Sequence, residues 1–382
     1  MGSVAPCPET SSVPRGGDPV VRERLTRRQF LIKTGIGGTG LVLAPSLLAA
    51  CSNDEPSGST GTSGATGATS AEPTDVRFRT NWIPSVDFVG WYVGDDKGYF
   101  DQQAISIEIL AAGYNSPESN QVLAAGKADV GLSTDLLTVS DSNAQGTDFV
   151  IWGARCQKSP FGLLSLADNP INTPQEMVGK TLGGPEGDQV FLDAVLTING
   201  LQAGDYDFVP IGFDATPLVN GKVEGMTAYS TNQPLYLQVD GIDNVMVLFA
   251  DMGMPSYADM LFADRTYLQD NHDLMVGFLK ATIAGWDFAN ANLDYAVNLT
   301  LDSYGGAEAG QKFDQSMLNA QANVPLMQSD AGLFSIDLDE LAGPMYDALR
   351  ASGRQDLPDP ATIVDLSILD EVHATTSASP SA

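Results

Sequence analysis

The chain has 382 residues and a formal net charge of −29, because 48 acidic side chains outnumber 19 basic ones. A surface this acidic repels the phosphate backbones of DNA and RNA, so nucleic acid is excluded as a partner and a strongly hydrated surface is indicated. A body of about 300 residues can form one large domain or two lobes.

The first 51 residues predict an export signal rather than part of a fold. Arg27 and Arg28 lie in the sequence TRRQFL, which matches the twin-arginine export pattern. The Gly-rich apolar stretch that follows, residues 35–50, is too short to span a membrane comfortably. It ends in Leu-Ala-Ala-Cys51, which has the form of a lipobox, so we expect cleavage before Cys51 and lipidation of its thiol. An uncleaved apolar N-terminal helix is the alternative.

Composition divides the chain into six predicted segments. They are the signal (1–51), a flexible linker rich in Ser, Gly and Thr (52–75), the first part of lobe 1 (76–160), lobe 2 (161–252), a helical return to lobe 1 (253–372) and a disordered tail (373–382). The two passages between the lobes, near residues 159–161 and 252–256, would form a hinge.

Cysteine and histidine usage limits the chemistry of the mature body. Cys7 is removed with the signal and Cys51 carries the lipid, so Cys156 remains alone. A lone cysteine allows neither a disulfide within the chain nor a Cys-based metal site, and we expect it to be buried. No P-loop or His-rich metal spacing is present, so we expect no metal and no cofactor.

Strand and helix patterns alternate from residue 76 onward. Strands are predicted over 76–80, 105–109, 129–132, 149–153, 163–166, 180–183, 208–211 and 245–249. Helices are predicted after Ser85, after the Ser116-Pro-Glu start, after Thr173 and over 190–198. Beyond Pro255 the pattern is helical, over 274–286, 318–327 and 338–349. The alternation predicts an α/β fold of mainly parallel sheets with flanking helices.

Two segments share one layout. Residues 123–134 and 218–229 each contain a helix end, Gly-Lys, a small apolar residue, an acid and a strand that ends in polar residues. Chance similarity between two βα units is one explanation. The other is a pair of similar lobes whose strand ends, 133–135 and 229–232, face each other across a cleft.

Short motifs in a fixed order carry a family resemblance. They are NWIPS (81–85), GWYV (90–93), KGYF (97–100), ISIEI (105–109), AAGKADVG (124–131) and MVGKTLG (177–183). The chain resembles the extracytoplasmic solute-binding lipoproteins of ABC importers for thiamine pyrimidine precursors, riboflavin, sulfonates, taurine and nitrate. The resemblance covers residues 75–255 well and the helical remainder loosely. It implies a two-lobed type II periplasmic-binding fold with a ligand cleft between the lobes.

The resemblance also implies the partners and the place of action. We expect a monomer that binds a small-molecule ligand and delivers it to the permease and ATPase subunits of an ABC importer. It would be extracytoplasmic and held at the cell membrane by the lipid anchor on Cys51.

The strand ends that would face the cleft hold the candidate ligand-binding residues. Lobe 1 would contribute Asn81, Trp82, Asp87, Phe88, Trp91, Ser133, Thr134 and Asp135. Lobe 2 would contribute Glu186, Asp188, Gln189, Tyr229, Thr231 and Asn232. For Trp91 and Tyr92 a place in the core is the alternative, and for the acids of lobe 2 a solvated helix start.

Charge favours one ligand class. The strand-end loops hold several acids, with only Arg155 and Lys158 nearby, whereas sulfonate or nitrate should meet cations or free backbone amides. We therefore predict a planar, uncharged or weakly cationic nitrogen heterocycle, with thiamine's pyrimidine precursor or riboflavin leading. A binder of aliphatic sulfonate, taurine or nitrate is the alternative.

Two other classes of protein compete with a binding protein. Fungal enzymes of the resembled fold make the thiamine pyrimidine and use a histidine and a cysteine-rich motif. Here His272 and His373 are the only histidines, both lie outside the βα region, and no cysteine cluster exists, so we expect no enzymatic activity. An adhesin or scaffold would lack a cleft.

Overall fold

Ten strands form two five-stranded sheets in the part of the chain that the computed structural model describes, residues 72–113 and 115–377. The predicted export signal, Cys51, the linker up to residue 71 and the last five residues lie outside it.

The strands are β1 (Thr74–Arg79), β2 (Ile105–Leu110), β3 (Val130–Ser133), β4 (Phe149–Cys156), β5 (Phe161–Leu166), β6 (Thr181–Gly184), β7 (Asp207–Pro210), β8 (Gly225–Tyr229), β9 (Asn244–Leu248) and β10 (Ala258–Asp264). The helices in the first half are α1 (Val89–Asp96), α2 (Tyr99–Gln102), α3 (Ser119–Ala124), α4 (Leu136–Ala144), α5 (Pro174–Met177), α6 (Gln189–Ile198), α7 (Thr216–Val219) and α8 (Gln233–Val239). Those in the second half are α9 (Arg265–Asp270), α10 (His272–Ala291), α11 (Leu293–Ser303), α12 (Phe313–Met327), α13 (Leu338–Glu340), α14 (Tyr346–Ala351), α15 (Pro360–Ile363) and α16 (Ser367–Ser377). Short 3-10 turns span Val86–Phe88, Glu186–Asp188 and Phe249–Met252.

The two sheets have the same plan. Their strand orders are β2-β1-β3-β10-β4 and β7-β6-β8-β5-β9. In each sheet the first three strands pair in parallel, and the other two pairings are antiparallel. Strands β3 and β8, which carry the two segments of shared layout, both hold the third position. The predicted α/β, two-lobed fold is therefore confirmed, with sheets that are mixed rather than mainly parallel.

The antiparallel strands follow from the path of the chain. Strands β5 and β10 are the first that the chain makes after it passes from one sheet to the other. At each passage the chain enters the new sheet at the edge where the parallel strands end, so the first strand must run away from that edge. At the passages Ser159 N–H donates to the carbonyl oxygen of Ser256 at 2.9 Å.

Strand β10 corrects the helical prediction for the segment after Pro255. Residues 258–263 are buried, and the strand lies between β3 and β4 with Met260 opposite Ser133 and Ala154. A short, continuously apolar run such as MLFA carries no periodicity that separates a buried strand from a buried helix.

Trp91 and Tyr92 belong to the core of the first lobe. Trp91 is 0% exposed, with its ring centroid 4.7 Å from that of Phe78, and Tyr92 stacks on Tyr304 at 4.4 Å. Helices α1 and α10 approach so closely that a Cβ on Gly285 would lie 2.0 Å from the carbonyl oxygen of Gly90. Trp91 therefore packs in the core between β1 and α10, where its ring also meets that of Trp286 at 5.7 Å.

Two C-terminal predictions need correction. The helix expected over 338–349 is interrupted by a π-helical turn, Leu341–Met345, because Pro344 has no N–H to donate and its ring clashes with the preceding turn. Helix α16 continues to Ser377, past residue 373, the predicted start of the tail, since Ile368, Leu369 and Val372 are buried in the first lobe's core.

No described helix is long and apolar enough to cross a bilayer.

Candidate functional site

A cavity of about 550 Å³ lies between the two sheets, at the edge where their parallel strands end. Both lobes line it. Lobe 1 contributes Asn81, Trp82, Asp87, Phe88, Glu118, Thr134, Asp135, Thr138, Arg155 and Asp259, and lobe 2 contributes Phe161, Asp188, Phe191, Phe213, Thr227, Tyr229, Thr231, Asn232 and Gln233, among others. The size suits a small aromatic molecule.

The aromatic turn after β1 forms one wall. Ser85 caps the 3-10 turn, its hydroxyl oxygen accepting from the N–H of Asp87 at 3.3 Å. The carboxylate of Asp87 in turn accepts from the hydroxyl of Ser85 at 2.7 Å and from the amides of Asn319 at 3.3 Å and Asn323 at 2.9 Å. Both of its oxygens are engaged, so Asp87 is held rigidly in the wall between Trp82 and Phe88.

An ion pair forms the floor. Arg155, 2% exposed, donates from Nε to Oδ2 of Asp259 at 3.0 Å and from Nη1 to Oδ1 of Asn323 at 2.7 Å. Asn81 Nδ2 donates to the other oxygen of Asp259 at 2.7 Å. Burial alone would lower the pKa of Arg155, but the charges around it, including Asp259 and Asp87, raise it, so the guanidinium stays charged and paired.

The start of α6 forms the opposite wall. Thr227 on β8 donates its hydroxyl to Oδ2 of Asp188 at 2.7 Å. A Cβ on Gly184 would lie 2.3 Å from that hydroxyl oxygen, so only glycine leaves space for the contact. Burial raises the pKa of Asp188, and the hydrogen bond from Thr227 offsets part of that rise.

Tyr229 lies among carboxylates from both lobes. Burial raises the pKa of its phenol well above the ordinary value, and the charges of Asp259, Asp135 and Asp188 raise it further. Its ring is 5.3 Å from that of Phe161. The hydroxyl therefore stays protonated.

The helices that begin at the cavity carry carboxylates at their N-termini. Asp135 caps α4, accepting from the N–H of Thr138 at 2.8 Å, and Asp188 precedes the first residue of α6. A helix N-terminus ordinarily attracts anions, but here the protein's own negative charge already occupies both positions. Among the described lining residues, five acids (Asp87, Glu118, Asp135, Asp188 and Asp259) face one cation, Arg155.

The structure brings most of the candidate residues together. Those that line the cavity are Asn81, Trp82, Asp87, Phe88, Thr134, Asp135, Asp188, Tyr229, Thr231 and Asn232. Four do not line it. Trp91 is in the core, Ser133 is buried and donates to the carbonyl oxygen of Asp135 at 2.8 Å, and Glu186 and Gln189 are exposed.

Several lining residues were not among the candidates. Asp259 lies on the strand that was predicted as helix, and Phe213 lies in a loop without a periodic pattern. Arg155 has no sequence signal other than its charge close to the strand-end loops. An acid interrupting the apolar run YADMLFA is the one sequence signal that could have singled out Asp259. Cys156 is buried beside this pair as expected, and burial raises the pKa of its thiol to about 12.

The cavity lining contains few of the side chains that ordinarily act in catalysis or hold a metal ion. His272 and His373 do not line it, and no group of three or more His, Cys, Asp or Glu among the described residues is arranged to hold a metal ion. The arrangement can enclose an aromatic ring between Trp82, Phe88, Phe161 and Tyr229 and accept hydrogen bonds from its edge.

Comparison with known proteins gives a family match. The model of the NMT1/THI5-like family matches residues 85–296, more than half of the chain. The riboflavin-binding protein RibY of Chloroflexus aurantiacus is 26% identical over 303 residues, which cover 76% of this chain and 84% of that protein. The formylaminopyrimidine-binding protein of Halalkalibacterium halodurans is 24% identical over 314 residues, covering 80% of this chain and 86% of that one.

Enzymes and structural neighbours also match. The 4-amino-5-hydroxymethyl-2-methylpyrimidine phosphate synthase of Schizosaccharomyces pombe is 26% identical over 166 residues, which cover 43% of this chain and 47% of that one. The periplasmic aliphatic sulphonate binding protein SsuA from Escherichia coli superposes with a TM-score of 0.60 at 14% identity, over 77% of this chain and 92% of that one. At that identity the likeness shows the fold alone, which is the periplasmic-binding fold.

Proposed function

Because the chain belongs to the NMT1/THI5-like family, we propose that it is the solute-binding protein of an ABC importer. It captures a small planar nitrogen heterocycle, either a thiamine pyrimidine precursor or riboflavin, between two closing lobes. The named functions of the relatives RibY and the formylaminopyrimidine-binding protein support this ligand class.

The observation that carries the proposal is the combination of aromatic walls and an excess of acids over cations in the cavity. Rings from both lobes offer stacking surfaces, and a carboxylate with an open lone pair, such as that of Asp188, can accept a hydrogen bond from a ring or amino N–H group. Arg155, the one lining cation among the described residues, is already bonded to Asp259 and Asn323. A sulfonate or nitrate would find no uncommitted cation there, which argues against the ligand of the structural neighbour SsuA.

Closure is the mechanism of such a protein. A ligand that contacts both walls binds the closed state better than the open one and so shifts the population toward it. Contacts between the lobes already exist outside the cavity. Lys158 pairs with Asp251 at 2.6 Å beside the two passages, and the hydroxyl of Tyr236 donates to Gln311 Oε1 at 3.2 Å. The passages near 159–161 and 252–256 act as the hinge.

Enzymatic synthesis of the pyrimidine is the second candidate function, because the matched synthases share the family. It requires reactive side chains in the cavity, and the described lining residues include no histidine and no cysteine. We therefore favour binding without turnover.

Export and anchoring complete the proposal. The protein leaves the cytoplasm through the twin-arginine pathway, is cleaved before Cys51 and is held on the outer side of the membrane by lipid, where it meets its permease as a monomer. Metabolic labelling with palmitate tests this. The wild-type chain should incorporate label, and a Cys51→Ala chain should not.

Calorimetry on the exported protein, extracted in mild detergent, tests the ligand class. We expect 4-amino-5-hydroxymethyl-2-methylpyrimidine, its formylated precursor or riboflavin to bind, and taurine and alkylsulfonates not to bind. Tight sulfonate binding with no heterocycle binding would overturn the proposal. Conversion of any bound heterocycle into a product would revive the synthase function.

A further inference from the structure

Some hydrogen-bonding groups that line the cavity already have partners within the protein, and others do not. Six lining side chains donate to acceptors within the protein, namely Asn81, Thr134, Thr138, Arg155, Thr227 and Gln233. Their donor groups are thus committed before any ligand arrives, whereas the protonated hydroxyl of Tyr229 stays open as a donor. A ligand that presents several carbonyl, phosphate or sulfonate oxygens would therefore find few open donors for them.

Most acceptors of lobe 1 are also committed, and the exception among its acids, Glu118, is exposed to solvent. Asp87 accepts on both oxygens from Ser85, Asn319 and Asn323. Asp135 accepts from the N–H and the hydroxyl of Thr138. These carboxylates give the wall its shape and its negative charge, but most of their lone pairs already accept hydrogen bonds within the protein.

Two acceptors of lobe 2 remain open. Asp188 accepts from Thr227 on Oδ2, and its Oδ1 has no hydrogen-bond partner among the described residues. Asn232 Oδ1 is buried and has no partner in the described part of the chain either. Both residues line the cavity. A buried acceptor without a donor, such as Asn232 Oδ1, costs about 1–3 kcal/mol, which a donor on the ligand would relieve. Asp188 is partly buried, and its Oδ1 is open to a donor from the ligand.

We propose that Asp188 and Asn232 receive N–H donors of the ligand, so that the cleft selects amino-substituted or cationic nitrogen heterocycles over those that present carbonyl or phosphate oxygens. The inference rests on the proposed function and narrows its ligand class. It places amino-group recognition on lobe 2 and ring stacking on the aromatic turn of lobe 1. Recognition of the amino group then occurs only when the lobes close, so an analogue without it would stack but would not hold the closed state.

A matched ligand series tests the selectivity. The probes are 4-amino-5-hydroxymethyl-2-methylpyrimidine, its 4-oxo analogue and its phosphate ester, each titrated into the exported protein by calorimetry. We expect the amino compound to bind at least about tenfold more tightly than the other two, because a hydrogen bond to a charged acceptor contributes about 1.5–3 kcal/mol. The inference would be overturned if the 4-oxo compound, the phosphate ester of the amino compound or riboflavin bound as tightly as the amino compound or more tightly. The proposed function would still stand in that case.

Variants assign the role to the two residues. Asp188→Asn and Asn232→Ala should each weaken the amino compound by about tenfold or more and change the 4-oxo compound little. Asn232→Asp, which keeps an acceptor, should restore binding of the amino compound. Asp240→Asn removes an exposed acid of the same lobe outside the cavity and should change neither ligand. Equal loss of both ligands in Asp188→Asn would contradict the assignment. Failure of every heterocycle to bind the folded wild-type protein would instead reject the proposed function itself.

Discussion

Trp82 and Phe213 meet edge to face between the two lobes, with their ring centroids 4.9 Å apart. Trp82 lies in the aromatic turn of lobe 1 and Phe213 in the loop after β7 of lobe 2, and both line the cavity. Phe213 is 47% exposed, so this pair lies at the rim and closes the cavity toward solvent.

Removing the rim contact should speed ligand exchange. In Phe213→Ala the closed state loses an aromatic pair that contributes about 0.5–1.5 kcal/mol beyond its buried area. We expect the ligand dissociation rate to rise by about 3–10-fold, measured by stopped-flow tryptophan fluorescence. Val219→Ala, an exposed apolar change in the same lobe outside the cavity, is the control and should leave the rate unchanged. An unchanged rate in Phe213→Ala would show that the rim contact does not hold the closed state.

The ion pair under the cavity should respond to single and double substitutions differently. Arg155→Met leaves Asp259 as an uncompensated charge that is 6% exposed, and we expect a loss of about 3–5 kcal/mol in the free energy of unfolding. The double variant with Asp259→Asn removes both charges and should recover much of that loss. Asparagine is chosen because residue 259 has φ 51°, a left-handed conformation that it tolerates well.

Urea unfolding monitored by circular dichroism measures the three variants. Arg265→Met, which breaks a half-exposed ion pair with Asp148, is the matched control and should cost about 0–1 kcal/mol. If Arg155→Met lowered the free energy of unfolding no more than the control does, the importance of the buried pair would be contradicted.

Asp188 should reduce stability at neutral pH. Burial raises the pKa of its carboxyl, so the folded state disfavours the charged form relative to the unfolded state. The cost is therefore fully present above the raised pKa and disappears as the pH falls below the unfolded value, about 3.9. Asp188→Asn should raise the melting temperature at pH 7 and leave it unchanged near pH 3.5.

Thermal unfolding of both proteins across this pH range checks the sign. The exposed exchange Asp240→Asn serves as the control and should show no such pH-dependent difference. A destabilised Asp188→Asn at pH 7 would mean that the carboxylate gains more from its surroundings than burial costs. If Asp188→Asn is more stable at pH 7 and also binds the amino compound more weakly, then the carboxylate lowers folding stability and raises ligand affinity at this position.

Trp82 and Trp91 should separate binding from folding. Trp91→Ala opens a cavity among Phe78, Trp286 and Phe334 and should cost about 3–5 kcal/mol of folding stability. Trp82→Ala should lower ligand affinity by about tenfold or more, with a smaller effect on stability because its side chain is only partly buried. Denaturation and calorimetry on the same preparations measure the two effects. Ligand affinity that depends on Trp91 as strongly as on Trp82 would contradict this division.

Much of the fold and many of the candidate residues follow from local patterns. The βα alternation predicted eight of the ten strands within a few residues, and the shared layout of residues 218–229 predicted β8 as well. The alternation also predicted the α/β class, and the family motifs pointed to the same two-lobed fold. Ten candidate residues at the strand ends line one cavity, because the carboxyl ends of parallel strands meet at the same edge of a sheet. The repeated layout of residues 123–134 and 218–229 predicted two facing lobes.

Three features were decided only by tertiary structure. Strand β10 enters the sheet of lobe 1 only because the chain returns from lobe 2, and Trp91 lies in the core because its ring packs against Phe78 of β1 and Trp286 of α10. The floor of the cavity joins Arg155 to partners 104 and 168 residues further along the chain, Asp259 and Asn323. Periodicity reports which side chains share a face of one element, whereas such pairings depend on how distant elements are brought together. The sequence alone therefore determined that the strand ends of two sheets face a common cavity, and the packing of the returning segment decided which charged groups in that cavity are paired within the protein.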